Sequence, residues 1–278
     1  YRYMVVLDAD SLMDGRTLVR LVRLMEANPR AGIIQTAPAM IRGGTRYARM
    51  LQFVHQLYGP LFLAGLNYWQ GGTGNFWGHN AIIRVAPFIE HCGLPTLSGS
   101  FRVLRARFMS HDYVEAALMR RAGYHVWLAY DLEGSYENPP PTLIDAARRD
   151  RRWCRGNLQH AWLLAAKGLH PVNRLHLLLG ILSYLSSPLW LVMILLSLHQ
   201  ARAEWLAPVK RYDHDVGLSS WLDIGGARLA LILFAVTVVM LTLPKVLAWL
   251  LALFDWRRRI AFGGALRLTA GVVTEHVL

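Results

Sequence analysis

Asp8 and Asp10 stand one residue apart at the end of the apolar run Met4-Val5-Val6-Leu7. Side chains alternate along a strand, so both carboxylates point the same way. Two like charges so aimed favour a cation between them, and hard oxygen ligands suit Mg2+ or Mn2+. A metal at that position can bridge a diphosphate and stabilise it as a leaving group. The alternative is helix capping by Asp10-Ser11, since both residue types are good N-caps. A second acidic group lies in Ser110-His111-Asp112-Tyr113-Val114-Glu115. Asp112 stands three residues before Glu115, a spacing that suits a helix cap. A carboxylate at such a rigid helix start can equally be a general base, taking a proton from an attacking hydroxyl. His111 is placed either to orient Asp112 or to serve the fold.

Two further clusters carry chemistry. Arg148-Arg149-Asp150-Arg151-Arg152-Trp153-Cys154-Arg155 puts five arginines in eight residues. They form either a juxtamembrane patch drawn to anionic lipid or a specific site. In a specific site Arg152 and Arg149 clamp a pyrophosphate through paired donors, and Trp153 offers a flat face to a sugar ring. Trp77, Gly78, His79 and Asn80 close a loop with glycines at 71, 72, 74 and 78. It reads as the lining of a groove for an extended polar acceptor, or as a plain glycine-rich turn.

The elements that must position these groups alternate. Short apolar strands are expected at Met4–Leu7, Ile33-Ile34, Ala81–Ile83 and Val126–Leu128. Helical periodicity covers Thr17–Glu26, Arg46–Leu66 with a break at Gly59-Pro60, and Tyr113–Arg121, closed by Gly123. Strands alternating with helices predict an α/β layer fold with a largely parallel sheet. Ligands of such sheets bind beyond the carboxyl ends of the strands, where Asp8 and Asp10 stand.

The second half is different. Leu177–Leu198 holds 22 residues without a charge, enough to span a bilayer. Leu229–Phe254 is a second span, interrupted only by Pro244-Lys245, with Lys245 facing a bundle interior or snorkelling. Hydrophobic residues make up 54% of the chain, and the mean hydropathy is +0.26. The organisation predicted is a partial cytoplasmic domain over 1–150, an interfacial segment over 151–176 and a transmembrane helix over 177–198. A periplasmic loop over 199–228, carrying Asp213 and Asp215, a second transmembrane helix over 229–254 and a cytoplasmic segment over 255–278 leading into a further membrane element complete it. The chain reads as a fragment cut at both ends. Its formal net charge is +12, and 21 of the 30 Lys and Arg fall in residues 1–176, against 12 acids there. Basic excess on one side of a span marks the cytoplasmic side. Nucleic acid is not the expected partner, because no zinc-finger spacing, RNP-like motif or basic heptad helix is present. Cys92 and Cys154 form no CxxC pattern and no disulfide framework.

Taken in order, DxD, aromatic-glycine loop, acid at a helix start and Arg-Trp against the membrane resemble a processive family 2 glycosyltransferase. That class includes cellulose and hyaluronan synthases. The stretches SHDYVEAALMRRAG, RDRRWCRGNLQH, KGLHPVNR and SYLSSPLW resemble, more narrowly, the glucans biosynthesis glucosyltransferase H family. Its members are inner-membrane enzymes that build the backbone of osmoregulated periplasmic glucans from UDP-glucose. The resemblance implies a GT-A fold and a DxD at Asp8 and Asp10 holding metal and UDP. It implies a catalytic base at Asp112, in the place of the last residue of TED, and Arg152 and Trp153 as the end of QxxRW. Arg149 stands where that motif has Gln, and His111 replaces the Glu of TED. Trp77, Gly78, His79 and Asn80 become the acceptor loop. The implied partners are UDP-glucose, the growing glucan, membrane lipid, an acyl carrier protein and a periplasmic glucan-modifying protein. The nucleotide-binding motifs that contact uracil are expected before Tyr1. The rival readings are another family 2 synthase and a membrane protein that only binds a nucleotide sugar.

Overall fold

The computed structural model describes residues 1–94, 108–206 and 218–277. The chain divides into two compact units, Tyr1–Leu185 and Ser186–Leu278.

The first unit is built on a four-stranded sheet of β1 (Tyr3–Val6), β3 (Ala31–Thr36), β5 (Ala81–Arg84) and β6 (His125–Ala129), in the order β1-β5-β3-β6. β3 pairs parallel with β6 but antiparallel with β5, and β5 is also antiparallel to β1. Strands β1, β3 and β6 therefore share one direction, and β5 runs against them. The expectation of a largely parallel sheet needs that correction. An apolar run such as Ala81-Ile82-Ile83 looks the same whichever way its strand is inserted. Residues of the central strands alternate between two faces. Ile33 and Ile83 pack with Val114 and Met119 of α4 (His111–Arg121), whereas Ile34 and Ile82 pack with Leu21 and Met25 of α1 (Gly15–Ala27). A helix thus covers each face.

A second sheet was not legible in the sequence. It joins β2 (Leu12–Met13), β4 (Ala39–Met40) and β7 (Ser135–Glu137) in the order β2-β7-β4. Strands of two or three residues have no period to detect. Helix α2 (Arg46–Gln70) is begun by Thr45, whose Oγ1 accepts from the Ala48 N–H at 3.1 Å. It runs unbroken through Pro60, against the interruption expected there. A proline removes one backbone hydrogen bond, but here a capped helix stands on either side of it. α3 (Val85–His91) follows β5 directly, and α5 (Leu143–Gln159) carries the arginine cluster into a 3-10 turn, His160–Leu163.

α6 (Pro171–Leu206) and α7 (Leu218–Phe254) contain the apolar runs. Pro171–Gln200 and Leu231–Phe254 are long and apolar enough to cross a membrane, and only 11% and 6% of their most apolar windows are buried. A core helix of a soluble protein would hide those side chains. The helices run past the limits expected for the spans, to Leu206 and from Leu218, while Asp213 and Asp215 lie outside the described residues. In the second unit Lys245 Nζ meets Glu275 Oε1 of the helix Ala265–Val277 at 3.1 Å, which gives the charge inside the apolar run a partner.

Candidate active site

Asp112 enters the first turn of α4, and the segment before it is clamped from α5. Gln159 Oε1 accepts from the Met109 N–H at 2.9 Å, and buried His160 donates from Nε2 to the Ser110 carbonyl at 2.9 Å. Gly156 lets the two segments touch, because a side chain there would overlap the Ser110 hydroxyl. The capping alternative for Asp112 is not what forms. Ser110 is the N-cap and makes no side-chain cap bond, while Glu115 is taken by His111, Nδ1 to Oε1 at 3.0 Å. Likewise Asp10-Ser11 does not cap α1, whose N-cap is Asp14. The chain turns at Asp8–Ser11 instead, the Ser11 N–H donating to the Asp8 carbonyl at 3.0 Å.

From the other side, buried Gln35 at the end of β3 holds the glycine-rich loop. Its Nε2 donates to the His79 carbonyl at 2.9 Å, and its Oε1 accepts from the Trp77 N–H at 2.9 Å. Gly78 takes φ +89° and stands beside the acid, where an added Cβ would lie in van der Waals contact with Asp112 Oδ2 at 3.5 Å. Only glycine adopts that conformation without strain. Asn80, at φ 51°, is fully buried and donates its amide to Ser135 Oγ at 2.8 Å. It is scaffold for the loop rather than a surface for an acceptor.

The result is a hollow of about 370 Å3, whose walls include Trp77, His79, Asp112, Glu137, Arg149 and Trp153. Arg149 lies over the Trp153 ring, 5.0 Å from its centroid. Burial pushes the Asp112 carboxyl up to about 6, against the opposing pull of the His111 charge and of backbone N–H groups. Glu137 was missed by sequence reasoning, as nothing about Ser135-Tyr136-Glu137 marks it. Its Oε2 lies 3.7 Å from His79 Nε2. Burial raises its carboxyl, His79 and Arg149 pull it back, and Asp10 and Asp8 raise it further.

The expected constellation is therefore brought together in part. Asp112, Trp77, His79, Arg149 and Trp153 share one hollow. Arg152 turns away and lines a neighbouring one with Arg148, Arg151 and Arg155. Asp8 and Asp10 are exposed beside the hollow, not in its wall; their charges reach it through Glu137. Among the described residues no three His, Cys, Asp or Glu groups converge as a metal cage. Two exposed carboxylates that make no ion pair among the described residues would suit a cation that keeps several waters and draws further ligands from substrate phosphates. The pair fits Mg2+ or Mn2+ on those terms.

The family model for glycosyl transferase family group 2 matches residues 3–254. The chain belongs to that family. Curated relatives named glucans biosynthesis glucosyltransferase H include those of Cupriavidus pinatubonensis, 51% identical over 278 residues, and Pseudomonas putida, 50% identical over 276. They match 100% and 99% of this chain, which spans only 32% of the length of each. In this family 2 glycosyl transferase chain the hollow lies just past β3 and just before β5, the central strands of the mixed sheet, where Ala37, Pro38, Trp77 and His79 line it. Helix α5 then explains the arginine departure: residues 149 and 153, one turn apart, face the hollow, so the arginine standing in place of Gln occupies the wall that Arg152 was expected to take.

Proposed function

We propose that the full-length protein is a membrane-bound, inverting glucosyltransferase. It transfers glucose from UDP-glucose to a growing β-glucan, the backbone of osmoregulated periplasmic glucans. The observation that carries this reading is the Asp112 carboxyl, held at about 6 in a hollow walled by two tryptophans and an arginine. A base tuned toward neutrality is ionised at working pH yet still takes a proton well. Asp112 deprotonates a hydroxyl of the acceptor, and the freed oxygen attacks the anomeric carbon as the bond to UDP breaks. Inversion in one displacement needs no enzyme nucleophile. Trp153 and Trp77 offer flat faces to sugar rings, and Arg149 places positive charge where the diphosphate departs. Asp8 and Asp10 would hold a divalent cation, which would supply further charge neutralisation to that diphosphate.

The apolar helices anchor the enzyme in the bacterial inner membrane, and the basic excess of residues 1–176 favours a cytoplasmic catalytic unit. An acyl carrier protein and a periplasmic glucan-modifying protein belong to the same proposal as partners. The test uses radiolabelled UDP-glucose and membranes containing the full-length protein. Asp112→Asn abolishes incorporation while UDP-glucose binding persists, and linkage analysis of the wild-type product returns a β-glucan. Equal loss of binding and transfer would overturn the role of Asp112. A product without β-linked glucose would overturn the substrate assignment.

A further inference from the structure

The arginines of α5 divide between two faces. Arg149 looks into the active-site hollow, whereas Arg148, Arg151, Arg152 and Arg155 line a second, more open hollow of about 890 Å3. Their spacing of three and four residues puts them on one side of the helix. Arg148 has an ion pair with Asp145 at 3.6 Å, but Arg151, Arg152 and Arg155 have none among the described residues. The hollow is not purely polar, for Met109 and Leu158 give it an apolar floor.

Its far wall is Tyr184 of α6, whose hydroxyl donates to Asp150 Oδ1 at 2.9 Å. Tyr184 is also the last partly buried residue of that helix before sixteen exposed positions, Leu185 to Gln200, all within the stretch apolar enough to cross a membrane. The second hollow therefore lies where α6 leaves packed protein and presents apolar surface. A tyrosine with one polar and one apolar end suits such a boundary.

We propose that this hollow binds the headgroup of an anionic phospholipid. Guanidinium groups match phosphate oxygens through paired donors. The apolar floor accepts the glycerol and the first methylenes of the acyl chains, which a free phosphate compound would leave uncovered. The site adjoins the sugar hollow, sharing only Tyr184 with it, and stands whether or not that hollow transfers glucose. Because one helix carries both, a lipid on one face fixes the helix whose other face presents Arg149 and Trp153.

The test titrates detergent-purified full-length protein with phosphatidylglycerol, with phosphatidylcholine as control. Arg148→Gln, Arg151→Gln and Arg155→Gln are combined, leaving Arg152 in place beside Trp153. Phosphatidylglycerol binding weakens on the order of a hundredfold in this variant, and phosphatidylcholine binding does not change. The corresponding triple lysine variant keeps the charge but not the paired donors, so it loses part of the affinity and clearly less than the glutamine variant, which separates loss of charge from loss of fold. Unchanged phosphatidylglycerol binding in the glutamine variant overturns the proposal. So does an equal loss in the lysine variant. Displacement of the lipid by pyrophosphate at matching concentration overturns it as well, because the ligand is then a free phosphate compound.

Discussion

The acidic pair Asp8–Asp10 and the acidic pair Asp112–Glu137 are made of nearly the same functional groups in opposite surroundings. Asp8 and Asp10 follow a strand and stand in solvent. Asp112 and Glu137 line a hollow and are pushed toward their neutral forms by burial. A solvated carboxylate keeps its charge and is suited to hold a cation; a desolvated one resists charge and is suited to accept a proton. The difference suits one chemical group to the two roles proposed for it, and it can be broken at either end.

The largest effect is expected at Asp112. Substitution by Asn removes the proton acceptor while keeping the shape, and the loss of turnover should reach about a thousandfold or more, within the range for a general base. Turnover of radiolabelled UDP-glucose measures it, and a loss under tenfold would remove Asp112 from the chemistry. Next comes the exposed pair. Asp8→Asn with Asp10→Asn should lower kcat/KM by about a hundredfold, because charge stabilisation by a metal is worth several kcal/mol. The defect should shrink as Mn2+ is raised, which no amount of metal should achieve for Asp112→Asn. Rescue of both variants, or of neither, would erase the distinction between the sites.

How far the sequence revealed this arrangement differs by residue. Asp112, Trp77, His79 and Trp153 are identifiable because motif order carries them, and Ile33-Ile34 and Ala81–Ile83 because buried strands read as apolar runs. Glu137 is invisible: it ends a three-residue strand that exists only by pairing with β2 and β4. Gln35 looks like a polar flaw in an apolar strand, yet both ends of its amide hold the active-site loop. The split of the arginines needed helix α5 itself. Five arginines in a row of eight look equivalent until a period of 3.6 sets Arg148, Arg151 and Arg155 on the side away from Arg149, while Arg152, about 60° from Arg149, lines their hollow and not the other.

Glu137 sharpens the comparison from inside the hollow. Glu137→Gln keeps the hydrogen-bonding shape but removes the charge opposite His79, 3.7 Å away, and Arg149. We expect a rise in KM for UDP-glucose of about tenfold, the scale of one hydrogen bond to a charged group, with kcat changed less. Steady-state kinetics at fixed metal separates the two parameters. A fall confined to kcat would instead make Glu137 part of the proton transfer.

The last effect, and the most direct reading of environment, is on stability. Asp112 ionises at 3.8 in its ordinary state and at about 6 in the fold. A carboxyl raised on folding binds its proton more tightly in the native state. Stability is therefore greatest below the unfolded value, falls as pH rises between the two, and stays reduced above about 6. The distance between those values corresponds to about 3 kcal/mol. Asp112→Asn carries no such penalty, so above pH 6 the inactive variant should resist denaturation better than the wild type, and near pH 4 the advantage should vanish. Denaturation midpoints of the two full-length proteins across pH 4 to 8 measure this directly. Parallel curves would mean that water reaches Asp112 freely and that burial does not set its proton affinity.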